Sequence, residues 1–288
     1  PVVETNRHLP LPVVATDSLL VRSPAALAVV ALLAPERVTR GQAAAWSVRA
    51  TVHNAGASDA VLADPRLVIE RAGADASPGF VVQAPAAFAG ASSLALAGGA
   101  TGRLDFTIAG TDTLPGAVQI GVAALGIEID SDRALAVASP SPVTVQLERE
   151  PRVVLADSTL APRTASRGQQ IDLVIDVQND GEAVLHLDPQ GSRVRLAATS
   201  AAAALREPVV LEPGRPVTLR FQPLLLEVAP GDYPLQLELG GTDNGNPFRT
   251  TLVTALGLRV DAPAELEIVT VRPSQENLTS GQERAWQV

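Results

Sequence analysis

The residues of this chain that could do chemistry are few and scattered. Three histidines, His8, His53 and His186, are separated by long stretches of sequence. A two-histidine metal site would need the fold to bring them together, because a metal ion takes its ligands as a cluster. No Gly-x-Ser-x-Gly run marks a nucleophile elbow. Two acidic loops, Glu128-Ile129-Asp130-Ser131-Asp132 and Thr242-Asp243-Asn244-Gly245-Asn246, offer the oxygen atoms that calcium prefers. Neither has the spacing of an EF-hand, and Asp, Asn and Gly are also the ordinary residues of a hairpin turn. Calcium at Asp130/Asp132 or Asp243/Asn246 is therefore an open question, and the expected catalytic, cofactor-binding and metal-binding sets are empty. Asn277-Leu278-Thr279 fits a glycosylation sequon.

Composition narrows the functions further. The 288 residues carry a net charge of −9, so a nucleic-acid surface, which needs clustered positive charge, is not expected. The absence of cysteine excludes disulfides, thiolate metal sites and cysteine nucleophiles. Aromatic residues make up only 3%, so the cores must be filled by Val, Leu, Ile and Ala. With two Trp and one Tyr, and both Trp on inward positions, a carbohydrate platform is poorly supplied. The apolar run of residues 25–33 is too short to span a bilayer as a helix, and no membrane span is expected.

What must position these residues is a repeat. Arg40-Gly41-Gln42 opens a stretch in which Trp46, Val48, Ala50 and Val52 alternate with Ser47, Arg49, Thr51 and His53. Arg167-Gly168-Gln169 opens another, with Ile171, Leu173, Ile175 and Val177 against Asp172, Val174, Asp176 and Gln178. Ser280-Gly281-Gln282 begins a third, reaching Trp286 and Val288. A period of two is that of a strand with one face in a core. The two complete copies end in Asn-x-Gly, at Asn54 and Asn179, where a turn through left-handed backbone is expected.

Further landmarks recur in the same order. Asp64-Pro65 and Asp188-Pro189 should bend a strand, since Pro cannot donate to a ladder. The Pro115-Gly116 and Pro230-Gly231 pairs open a later strand, and Ala201 to Leu205 reads as an excursion between strands. About seven short strands in some 100 residues suit a β-sandwich. The pattern resembles the bacterial immunoglobulin-like repeats of the CARDB kind. The Gly-Gln turn, the Asn-x-Gly after it and Pro230-Gly231-Asp232-Tyr233 carry that resemblance. The first unit departs from it, with Ala117-Val118 where the second has Asp232-Tyr233.

The expected fold is all-β, a tandem of immunoglobulin-like β-sandwich domains. Residues 1–24 are read as the tail of a preceding repeat, 25–149 and 150–262 as complete sandwiches, and 263–288 as the first strands of a truncated one. The missing start Met and the cut third copy suggest an internal piece of a longer chain. Prolines at the junctions, without Gly/Ser runs, suggest a semi-rigid array. The resemblance implies a non-catalytic spacer or adhesion-type region of a large exported bacterial protein, at the cell surface, outside the cell or in the periplasm. Partners would be neighbouring repeats of the same chain, another surface protein or a polysaccharide. The alternative is a set of accessory modules on a secreted hydrolase.

Overall fold

A computed structural model describes residues 21–156, 161–272 and 280. The chain divides into two compact units, Pro1–Glu148 and Arg149–Val288. His8, Asn277 to Thr279, Trp286 and most of the presumed tail at 1–24 lie outside the described residues.

The first unit contains β1 (Leu27–Leu33), β2 (Arg37–Thr39), β3 (Trp46–Asn54), β4 (Ala60–Arg71) and β5 (Ala74–Asp75). After a 3-10 turn at Ser77–Gly79 come β6 (Val81–Gln83), β7 (Ala95–Leu96), β8 (Thr101–Gly110), β9 (Gly116–Glu128), β10 (Ala134–Ala138) and β11 (Val143–Glu148). One sheet has the order β1-β3-β8-β6; the other has β2-β11-β9-β4-β5, with β10 beside β9 and β7 beside β4. This is the strand order of an immunoglobulin-like sandwich, in which the first strand divides between the two sheets.

The second unit repeats the plan. Its strands are β12 (Val153–Leu155), β13 (Thr164–Ser166), β14 (Gln170–Ile171), β15 (Val174–Asn179), β16 (Leu185–Leu187) and β17 (Arg193–Leu196). They continue as β18 (Ala202–Ala204), β19 (Val209–Leu211), β20 (Pro216–Arg220), β21 (Leu224–Leu225), β22 (Gly231–Asp243) and β23 (Asn246–Asp261). One sheet runs β12-β15-β20, and the other β13-β23-β22-β16-β19. Both units are thus immunoglobulin-like β-sandwiches.

The alternation sets the cores. Val48, Ala50 and Val52 are fully buried on β3, as are Leu104, Phe106 and Ile108 on β8. Leu173, Ile175 and Val177 do the same in the second unit with Leu219 and Phe221. Aliphatic side chains fill both interiors, as the shortage of aromatics requires. Asp64-Pro65 makes a bulge in β4, with Asp64 at φ 49 and a register shift between Ala63 and Arg66. Asp188-Pro189 goes further and splits its strand into β16 and β17, both still paired with β22.

Several expectations need correction. Trp46 is only half-buried: it sits at the first position of β3, packs against the core margin, and donates its indole N–H to Thr111 Oγ1 over 2.9 Å. Ile171, its counterpart, is 5% exposed, so the two positions are not equivalent in depth. Ala201 to Leu205 supplies a strand, β18, that pairs with β17. Leu266-Glu267-Ile268-Val269-Thr270-Val271, read as an opening strand, is irregular and exposed, with Leu266 at 100%. A lone strand has no ladder to join; the strand expected to pair it begins at Trp286, outside the described residues. Residues 21–24 likewise carry no strand.

Candidate functional site

The repeated Gly-Gln and Asn-x-Gly motifs come first, because they recur. Gly41 and Gly168 have φ of 64 and 83, and Gln42 N–H and Gln169 N–H donate back to the carbonyls of Thr39 and Ser166. Each Gln side chain then turns back: its Oε1 accepts from the N–H of Thr39 at 3.1 Å or of Ser166 at 3.0 Å. A tight turn with positive φ at its third residue wants glycine there. The glutamine is the clasp that closes it.

Asn54 and Asn179 are both fully buried. Asn54 Oδ1 accepts from the backbone N–H of Ala26 (3.0 Å) and Gly56 (3.1 Å), and its Nδ2 donates to Ser58 O (2.8 Å). Asn179 Oδ1 accepts from Arg152 (3.1 Å) and Gly181 (2.9 Å), and its Nδ2 donates to Ala183 O (2.8 Å). Neither residue has the left-handed backbone expected of it, and neither do Gly56 and Gly181. Those glycines are required by space: a Cβ on Gly56 would lie 1.9 Å from Pro24 O, and one on Gly181 would lie 2.2 Å from Glu150 O. Asn-x-Gly is therefore an internal lock that ties the entry of each unit to the end of β3 or of β15.

The two acidic loops occupy corresponding hairpins. Glu128 ends β9 opposite Ala60, and Asp243 ends β22 opposite Leu185. Glu128 is 3% exposed at the floor of an open cleft of about 630 Å³ that Arg22, Asp130 and Arg133 help to line. Its carboxylate accepts from Ser131 Oγ (2.7 Å), Ala25 N–H (2.7 Å) and Arg133 Nε (2.9 Å). These donors, the Ser131 hydroxyl first, hold its pKa down to about 2. An acid held so firmly ionised cannot deliver a proton near neutral pH, and its oxygens are already engaged. Arg133 also donates to Ala25 O over 2.7 Å, so the group clamps the start of the first unit to the hairpin.

In the second loop Asn244 and Gly245 have φ of 39 and 86, a mirror-image two-residue hairpin turn. Asn246 Nδ2 donates to Asp243 Oδ1 over 3.0 Å. Among the described residues no group of three or more His, Asp or Glu side chains gathers as a metal site. His53 Nδ1 lies 3.1 Å from both Ala100 O and Thr101 Oγ1 in the first unit, while His186 is exposed in the middle of β16 in the second. Sequence reasoning missed the roles of Asn54, Asn179 and Glu128. The available signal was the pairing of Glu128 with Ser131 and Arg133 across one turn.

No protein-family model matches the chain, and no curated protein does. Solved structures resemble it loosely. A protein of unknown function from Porphyromonas gingivalis W83 shares 15% identity, covering 84% of this chain and 100% of its own, at a TM-score of 0.29. The D00-D0 domain of intimin shares 12% over 79% of this chain and 98% of its own, at 0.26. A putative membrane anchored protein from Corynebacterium diphtheriae shares 11% over 85% of this chain and 61% of its own, at 0.23. With scores this low, the immunoglobulin-like assignment rests on the chain's own strand order. No helix among the described residues is long and apolar enough to cross a membrane.

Proposed function

We propose that this chain is a non-catalytic spacer or adhesion-type repeat region of a large exported bacterial protein, of the CARDB kind, acting outside the cytoplasm. The observation that supports this reading is the nature of what repeats. Gly41/Gly168, Gln42/Gln169, Asn54/Asn179 and the close-approach glycines Gly56/Gly181 recur, and each holds backbone to backbone. Repetition has kept the parts that hold a sandwich together. The polar groups on the surfaces differ between the two units, as they would where the common task is to fold and extend.

Two measurements test the proposal. The purified chain, offered generic ester, glycoside and peptide substrates, should turn over none of them. Intact cells of the native host should expose the region to added protease or antibody. Turnover that persists through purification to homogeneity would overturn the non-catalytic reading, and protection until the cells are lysed would overturn the location.

A further inference from the structure

One stretch of backbone in the second unit is left without a partner. β23 pairs with β22 along its length, but on its other side, among the described residues, only Arg259, Val260 and Asp261 are met, by β13. Asp243 and Asn246 face each other across the hairpin turn. The pair that flanks a two-residue turn exchanges both ladder bonds, and bonded and unbonded pairs alternate from there. Arg249, Thr251 and Val253 therefore fall on the places whose N–H and C=O groups point away from β22. No backbone group among the described residues meets them there. Pro247 bounds the stretch on one side, and the register shift opposite Pro234 and Gln236 bounds it on the other. In the first unit β1 lies beside the corresponding strand, β10, and Val137 is 6% exposed. Thr250, at the matching place, is half-buried.

An open groove of about 510 Å³ follows this edge, with β12 as its other wall. Leu155, Phe248 and Leu252 line it; each touches the core of the unit yet is only half-buried. Val253 beside them is 76% exposed. Arg152 and Arg249 are the ionised residues of the lining, and no acid belongs to it. Neither guanidinium has an ion pair among the described residues. The nearby acids are already engaged. Glu238, diagonal to Arg249 across the ladder, holds Arg193 and Arg195. Glu182 holds Arg149, Asp180 accepts from Gln178, and Glu150 is not free either. In a chain of net charge −9 the edge is thus a local excess of positive charge.

We propose that this edge is a docking site for an extended, acidic segment of a partner protein, which joins the sheet as a further strand beside β23. Strand addition draws its affinity from main-chain bonds and its selectivity from alternate side chains. The N–H and C=O groups of Arg249, Thr251 and Val253 recur at every second residue, about 7 Å apart, the repeat that another strand matches. Side chains of an added strand stand beside those of β23 on the same face. Its outward positions meet Arg249, Thr251 and Val253, so a carboxylate belongs beside Arg249. Its inward positions pass over Phe248 and Leu252, where branched aliphatic side chains complete the cover that this margin of the core lacks. A row of phosphates or an acidic sugar chain would answer the arginines and leave the backbone groups and Leu252 unmet. The site does not depend on the chain being a spacer.

Calorimetric titration of the 288-residue chain with an acetylated, amidated octapeptide of four Val-Glu repeats reads the binding. We expect a Kd of roughly 10–100 µM, as fits a contact smaller than a standard interface. Four Val-Lys repeats should bind at least about tenfold more weakly, because like charges then meet at Arg249. Arg249→Glu should reverse that order, while Arg272→Glu, on an exposed stretch outside the groove, should leave it unchanged. Thr251→Pro removes an outward N–H that β22 does not use, and should abolish binding; circular dichroism checks the fold of each variant. Hydrogen exchange followed by NMR gives an independent reading. The amides of Arg249, Thr251 and Val253 should exchange quickly in the free chain and slow when the Val-Glu peptide is added. No binding up to about 1 mM peptide, equal binding of the two peptides, or binding without protection of those three amides would overturn the proposal. So would self-association without peptide that Thr251→Pro abolishes, since the occupant would then be a second copy, or polygalacturonate binding that displaces the peptide and survives Thr251→Pro.

Discussion

Tyr233 donates its hydroxyl to the carbonyl of Ala229 over 2.7 Å, and the first unit has no such bond because Val118 stands at the corresponding place on β9. The hydroxyl reaches back across the corner that leads into β22, the tyrosine corner of immunoglobulin-like sandwiches. Val118 instead is fully buried and contributes packing. Tyr233→Phe should therefore lower the stability of the second unit by about 1 kcal/mol, the net value of one hydrogen bond. Urea denaturation of the variant beside the parent chain measures it.

The asparagine locks should be far more sensitive. Asn54→Ala leaves the buried N–H of Gly56 and carbonyl of Ser58, and the partly buried N–H of Ala26, without that partner. At about 1–3 kcal/mol for each orphaned group, a loss of about 3 kcal/mol or more is expected. Asn179→Ala should match it in the second unit. A loss under about 1 kcal/mol in either, by the same denaturation, would show that water satisfies these groups.

Glu128 predicts an acid limb. Its pKa in the folded chain is about 2, below the ordinary 4.5. A depressed carboxylate stabilises the fold fully above the ordinary value, and that contribution fades as pH falls from about 4.5 toward 2. Glu128→Gln should flatten the pH dependence of the melting temperature across that window, with little change in its slope near neutrality.

Trp46 offers a graded test. Deleting a fully buried aromatic costs about 3–5 kcal/mol. Trp46 is half-buried at a strand end, so Trp46→Ala should cost about 2–3 kcal/mol. Trp46→Phe, which removes the bond to Thr111 but keeps most of the ring, should cost about 1 kcal/mol. Equal losses for the two would mean that the indole N–H, and not the packing, is what matters there.

Much of the scaffold was legible because alternation is a direct image of the pleat: Val48, Ala50 and Val52 face inward for the reason they occupy every second place. The glycines were half legible. Sequence marks Gly41 and Gly56 alike, yet Gly41 is needed for its φ and Gly56 for the space beside Pro24 O. That second reason exists only once a distant segment has packed. The part Glu128 plays in the clamp was not legible, because Ala25, one of its three donors, is far away in sequence. The exposure of Leu125 and Ile127 on β9 was invisible, since a strand with apolar residues on both sides reads simply as a strand.

The short parallel pairings bear on how each sandwich would carry tension. Near its beginning the first unit lays β2 alongside β11, with Gln146 N–H bonded to Glu36 O and Arg40 N–H to Glu148 O, each at 2.9 Å. The second unit lays β13 alongside β23, with Arg259 N–H to Arg163 O and Arg167 N–H to Asp261 O, also at 2.9 Å. Because the two strands of each pair run the same way, pulling the ends of a unit apart drags them in opposite directions along their length. The bonds are then strained together in shear and cannot open one after another like a zip. A sandwich fastened in this manner resists stretching by its first and last few residues, whatever lies in its core.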